Sequence, residues 1–129
     1  MNIELENGIR LKINKKKHTA KIIKSENVFG NVLIPEYYES EGEKYYIVSV
    51  EADAFSFKHI DYLIFHENSR VKTFKQSSFA FAFVIKFQIP ASLEYLNFGW
   101  CQFLYDVNQF EISPKNTKFT YHNNKYLLG

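Results

Sequence analysis

The sequence predicts a repeat solenoid, α/β to mainly β, built of stacked parallel strands with a β-hairpin cap at its N-terminus. Three observations predict it. Apolar residues recur at intervals of 24: Phe55, Phe79 and Phe103; Val50, Phe74 and Phe98; Ile47, Val71 and Tyr95. A second set follows in the same order: Ile60 with Val84 and Val107, Leu63 with Phe87 and Phe110, Phe65 with Ile89 and Ile112, the last step of each being 23. A fixed short period marks an array in which each unit buries its apolar face on its neighbours. Finally, 129 residues, 46% of them apolar and 18% aromatic, suffice for a single domain with a core and exclude a disordered chain. We divide that domain into a cap (1–27), the repeats (28–118) and the start of a further, incomplete repeat (119–129).

Residues 8–13 alternate apolar and polar, with Ile9, Leu11 and Ile13 on one face, the pattern of a half-buried strand. Asn14 to His18, with Lys15, Lys16 and Lys17, reads as a solvated turn, and residues 19–23 return as the second strand of the hairpin. Phe29, Val32, Ile34 and Pro35 repeat the spacing of Val84, Phe87, Ile89 and Pro90, so a first, divergent copy of the repeat strand begins there. From Ile34 to Phe65 is 31 residues, which places an insertion within 36–46. Glu36, Glu39, Glu41 and Glu43 with Gly42 make it an acidic surface loop.

Each later repeat has a short strand, then a turn ending in a buried phenylalanine, then a main strand with apolar residues at positions 1, 4 and 6. Phe55, Phe79 and Phe103 are expected to stack as one interior ladder. Pro90 and Pro114 stop strands, because proline cannot donate to a ladder. A unit of about 24 residues is too short for helix pairs and fits the one-strand-per-turn leucine-rich class.

At this point the residues resemble a known family. Ile60, Leu63 and Phe65, then Asn68 and Ser69, Val71 and Phe74, Ser78 and Phe79, and Ile89 to Leu93 look like BspA-like leucine-rich repeats, a class named for a bacterial surface antigen. The resemblance covers residues 29–129 and includes Gly99, Trp100 and Cys101, where that family often places a small residue or cysteine. It implies a surface antigen or an adhesion protein, and from it a place at the cell surface. This sequence departs from the family in using Phe and Tyr where Leu and Ile are usual.

The net charge of +2 selects no partner, and the four histidines, His18, His59, His66 and His122, show no metal-ligand spacing. Cys101 is the sole cysteine, which precludes an intrachain disulfide, and it reads as a packed core residue. No phosphate loop and no ordered nucleophile–base set occurs, so neither cofactor nor catalytic residue is assigned. No signal peptide, membrane span or basic nucleic-acid footprint is visible, and on sequence alone the chain reads as cytoplasmic.

Main-strand residues alternate in and out, so the outward columns are Asn31, Tyr62, Lys86, Gln109 and Leu33, Ile64, Gln88, Glu111. The candidate protein-binding face is therefore Tyr62, Ile64, Lys86, Gln88, Gln109 and Glu111, and the expected role is a non-enzymatic interaction with a protein ligand. An intracellular scaffold or regulatory protein of the same fold is the alternative, and a fragment of an enzyme a remote one. Tyr126, Leu127 and Leu128 are apolar with no later strand to cover them, so self-association through an open C-terminal end is also expected.

Overall fold

The computed structural model describes residues 1–104, 109–118, 120–122 and 126–128. All secondary structure among them is β, with no helix. The strands are β1 (Asn2–Glu4), β2 (Arg10–Asn14), β3 (Thr19–Ile23), β4 (Gly30–Ile34), β5 (Tyr37–Ser40), β6 (Glu43–Val50), β7 (His59–Phe65), β8 (Thr73–Phe74), β9 (Phe83–Ile89), β10 (Tyr95–Leu96), β11 (Gln109–Ile112), β12 (Thr120–His122) and β13 (Tyr126–Leu128).

Two sheets enclose the core. The first runs β1-β2-β3-β6-β8-β10, with β5 paired to β6, and the second runs β11-β9-β7-β4. The chain alternates between them, so β3 with β4, β6 with β7, β8 with β9, and β10 with β11 make four coils of a solenoid. Within the second sheet all pairs are parallel, as are the β3-β6, β6-β8 and β8-β10 pairs of the first. The fold expected from the sequence is thus present, with tight turns between the short and the main strands.

The cap is a three-stranded antiparallel meander, since β1 joins the expected hairpin of β2 and β3. It merges with the solenoid because β3 also pairs in parallel with β6. Ile9, Leu11 and Ile13 are buried as their alternation requires, and Lys15, Lys16 and Lys17 are exposed. Gly8 is held where no side chain fits: its φ is +93°, and a Cβ there would lie 2.6 Å from the Asn27 carbonyl.

The main-strand register is the one the sequence gives by period. Leu63 sits beside Val32 and Phe87, Phe87 beside Phe110, and Ile89 beside Ile112. Leu63, Phe65, Phe87 and Ile89 are buried, while Phe110 and Ile112 are half-buried on the last strand. Val107 lies outside the described residues.

Four expectations need correction. The segment 36–46 is a β-hairpin: β5 and β6 pair from Tyr37↔Tyr46 to Ser40↔Glu43. Glu41 and Gly42, with φ of 53° and 79°, form the two-residue turn whose positive dihedrals match strand twist. Phe29 is 79% exposed and Val28 takes the interior place: Gly30 has a positive φ of 69°, and the β4-β7 register shifts there, Gly30↔Ile60 being followed by Asn31↔Tyr62 with Asp61 as the extra residue of β7. Tyr95 and Phe98 are 61% and 93% exposed, their interior places taken by Leu93 and the partly buried Leu96. Phe103 is likewise 55% exposed.

One cause underlies the errors at Tyr95, Phe98 and Phe103. Val71 follows the inward Phe65 by six positions, but Leu93 follows Ile89 by only four, where Pro90 turns the chain at once. The phase therefore slips to 22: Leu96 pairs with Phe74, and the Phe79 N–H donates to the Trp100 carbonyl. Cys101 thereby occupies the place of Phe55 and Phe79, and Trp100 supplies the bulk, with centroids 5.3–6.0 Å from Phe74, Phe79 and Phe87. Seven residues from Phe103 to Phe110, against six from Phe81 to Phe87, then restore a step of 23.

At the C-terminus, where the sequence suggests another repeat, β12 and β13 form an antiparallel two-stranded sheet of their own.

Candidate functional site

The outer face of the second sheet carries the residues that alternation assigned to it. Asn31↔Tyr62, Tyr62↔Lys86 and Lys86↔Gln109 are in register, as are Leu33↔Ile64 and Gln88↔Glu111. Tyr62 is 44% exposed and Leu33 55%, while Ile64, Lys86 and Gln88 are half-buried. For Gln109 only the backbone position is described.

The polar members of this face hold one another. The Lys86 ammonium lies 3.6 Å from a Glu111 carboxylate oxygen and 6.0 Å from the Tyr62 ring centroid. Such exposed contacts contribute under about 1 kcal/mol each and fix side-chain positions more than stability. Gln88 has a structural role as well. The β7-β9 pairing ends at Leu63↔Phe87, and beyond it the Phe65 N–H donates 2.7 Å to Gln88 Oε1. At the start of the strands His59 stacks on Phe83 at 5.7 Å, with His59 Nε2 3.7 Å from Asp61.

A second surface adjoins this one, at the turns that lead from the first sheet to the second. The turns at 53–57, 77–81 and 99–103 have one geometry, each with positive φ at both ends: Asp53 and Phe57, Ser77 and Phe81, Gly99 and Phe103. Their backbones bond from coil to coil, Phe57 N–H to Ala80 O at 3.1 Å and Phe81 N–H to Gln102 O at 2.9 Å. This aligns Phe57, Phe81 and Phe103 as an exposed ladder, ring centroids 4.9 Å apart at each step. The step matches the spacing of neighbouring strands.

The two ends of these turns are chosen differently. A left-handed conformation costs an L-residue roughly 1–2 kcal/mol, least for Gly, Asn and Asp. The first end uses Asp, Ser and Gly, in keeping with that cost, whereas the second uses Phe three times.

Sequence reasoning missed this ladder because Phe57 and Phe81 are also 24 apart, so Phe103 could match either phenylalanine of each pair. The signal that separates them is the turn-forming Asp53, Ser77 or Gly99 four residues before the exposed ring.

Cys101 is half-buried, and burial raises its thiol pKa above the ordinary value, a backbone hydrogen bond opposing this in part. Among the described residues no three His, Cys, Asp or Glu side chains converge on a metal-sized site. No helix among them is long and apolar enough to cross a membrane.

No protein-family model matches the chain, and no curated protein matches it. Among solved structures it is similar to the crystal structure of the pneumococcal vaccine antigen PcpA, with a TM-score of 0.54 and 15% identity over 92% of this chain. The match spans 39% of the length of that antigen. At this identity the likeness carries the solenoid fold.

Proposed function

We propose that this chain is a non-enzymatic protein-binding module of the surface-antigen type, which engages a protein ligand through the outer face of the second sheet. The observation that carries the reading is a ridge of apolar and amphipathic side chains, Leu33, Ile64 and Tyr62, left open on a sheet fixed by parallel pairing on both sides of β7. A rigid sheet presents such groups with little ordering cost on binding, and exposed tyrosine is favoured where binding energy concentrates. Lys86 and Glu111 form a polar rim on one side. The likeness to a pneumococcal vaccine antigen supports a surface location, as does the resemblance of the repeats to BspA-like sequences.

The test is capture from intact host cells and matrix extracts on the immobilised chain, with Tyr62→Ala and Leu33→Ser as variants. The reading predicts a captured protein that both substitutions release, with unchanged thermal unfolding. Capture indifferent to both would remove the sheet face from consideration. Surface biotinylation of the producing cell separates the antigen from an intracellular scaffold.

A further inference from the structure

We propose that the ladder of Phe57, Phe81 and Phe103 is a homodimer contact, in which two copies of this chain pack their turn edges antiparallel. This goes beyond the sheet-face reading and does not depend on it.

Three observations point to a second copy as the occupant. The first is period. The rungs repeat at 4.9 Å, held at that spacing by turns that bond coil to coil. A second copy brings the same period by identity, so the ring edges of one ladder can pack rung for rung against those of the other, as identical side chains meet in dry zipper interfaces. The second is charge. Across 52–57, 76–81 and 98–103 the only charged residue is Asp53, in the first of the three turns. Parallel packing would set Asp53 against its own copy. Antiparallel packing sets it against the uncharged third turn, which is the twofold, isologous arrangement.

The third observation is area. Phe57, Phe81 and Phe103 are 72%, 37% and 55% exposed. At about 200 Å² per phenylalanine these three leave roughly 330 Å² of apolar surface open. That is within the range of the largest patch on a typical monomer and about two-fifths of one partner's share of a standard interface, the size of a weak contact. The choice of Phe at three left-handed positions, where the opposite ends of the same turns use Asp, Ser and Gly, shows that the ring is what these positions supply.

Sedimentation equilibrium under reducing conditions, which keep Cys101 from cross-linking copies, tests the proposal. The chain should pass reversibly from 15.3 kDa to twice that mass as concentration rises to about 0.5 mM, the regime of weak, small interfaces. Phe81→Gly places at the centre a residue suited to the left-handed conformation and should weaken the dimer at least about tenfold. Should Phe81→Gly fail to fold, Phe57→Glu at the exposed end of the ladder serves, and should also abolish the dimer. Leu127→Ser with Leu128→Ser should leave it intact. A chain monomeric throughout, or a dimer lost in the Leu127/Leu128 variant but kept by Phe81→Gly and Phe57→Glu, would overturn the proposal.

Discussion

Replacing Phe79 by alanine removes the side chain on which three coils meet. Phe79 is fully buried, and its ring centroid lies 5.2 Å from Phe55 in the coil before, 4.8 and 5.2 Å from Phe87 and Phe74 in its own, and 6.0 Å from Trp100 in the coil after. The neighbours are anchored to paired strands and hydrogen-bonded turns, so they cannot collapse far into the space a lost ring leaves. The cost should be about 3–5 kcal/mol, transfer and cavity together. In a domain of this size 1 kcal/mol moves Tm by about 3–4 °C, so the midpoint should fall by roughly 10–20 °C. Phe103, at the same spacing of 24, gives the contrast. It is more than half exposed and among the described residues stacks on Phe81 alone, so Phe103→Ala should cost under about 1 kcal/mol. Thermal and urea unfolding of the two variants, followed by circular dichroism, measures the difference. Equal losses would return Phe103 to the core and refute the 22-residue register on which the ladder rests.

Three further outcomes follow from local geometry. Gly8→Ala should cost about 3 kcal/mol or more, because a Cβ would meet Asn27 backbone at 2.6 Å, whereas Gly42→Ala, with positive φ but nothing within 4 Å, should cost only about 1 kcal/mol; urea unfolding compares them. Gln88→Ala leaves the Phe65 N–H without its acceptor and should cost about 1–3 kcal/mol, with faster amide exchange at Phe65 as the signature; unchanged exchange would show that the hydrogen bond does not hold. Burial raises the Cys101 pKa, so its thiolate is scarcer at pH 8 than that of an exposed thiol; alkylation should be slow and rise at higher pH than for a free cysteine peptide, and a coincident pH profile would contradict this.

The sequence was most legible where periodicity and burial agree. The main strands carry inward residues at 60, 63 and 65 and again at 84, 87 and 89, and no other register buries both sets. The outward columns of the candidate face followed from the same alternation, although not the engagement of Gln88 by the Phe65 backbone, which depends on where pairing between two strands stops. Legibility failed where chain length was absorbed by turns. Nothing in the apolar pattern says that the turn at Pro90 is two residues shorter than the turn after Phe65, because Phe103 lies 24 residues after Phe79 and 22 after Phe81, so either period finds a match. The register shift at Gly30 was hidden for a related reason: Val28 and Phe29 are both apolar, and only the backbone decides which of them faces inward.

The pairing of Phe55 with Phe57, and of Phe79 with Phe81, explains how one turn can serve the core and the surface separately. Two residues apart, with the second in the left-handed conformation, the first ring points into the solenoid and the second out of it, with 0% against 72% exposure in the first pair and 0% against 37% in the second. In the third turn the inner member is Cys101, and Trp100 takes over its volume, yet the outer Phe103 stays in line with Phe81 at 4.9 Å. Change at the inner position has therefore left the outer ladder in place. The turn backbone, held coil to coil by its own hydrogen bonds, sets the direction of the outer ring independently of what fills the core. That independence allows Phe81→Gly to test association without emptying the interior, and it makes the outer ladder a surface property rather than an overflow of the core.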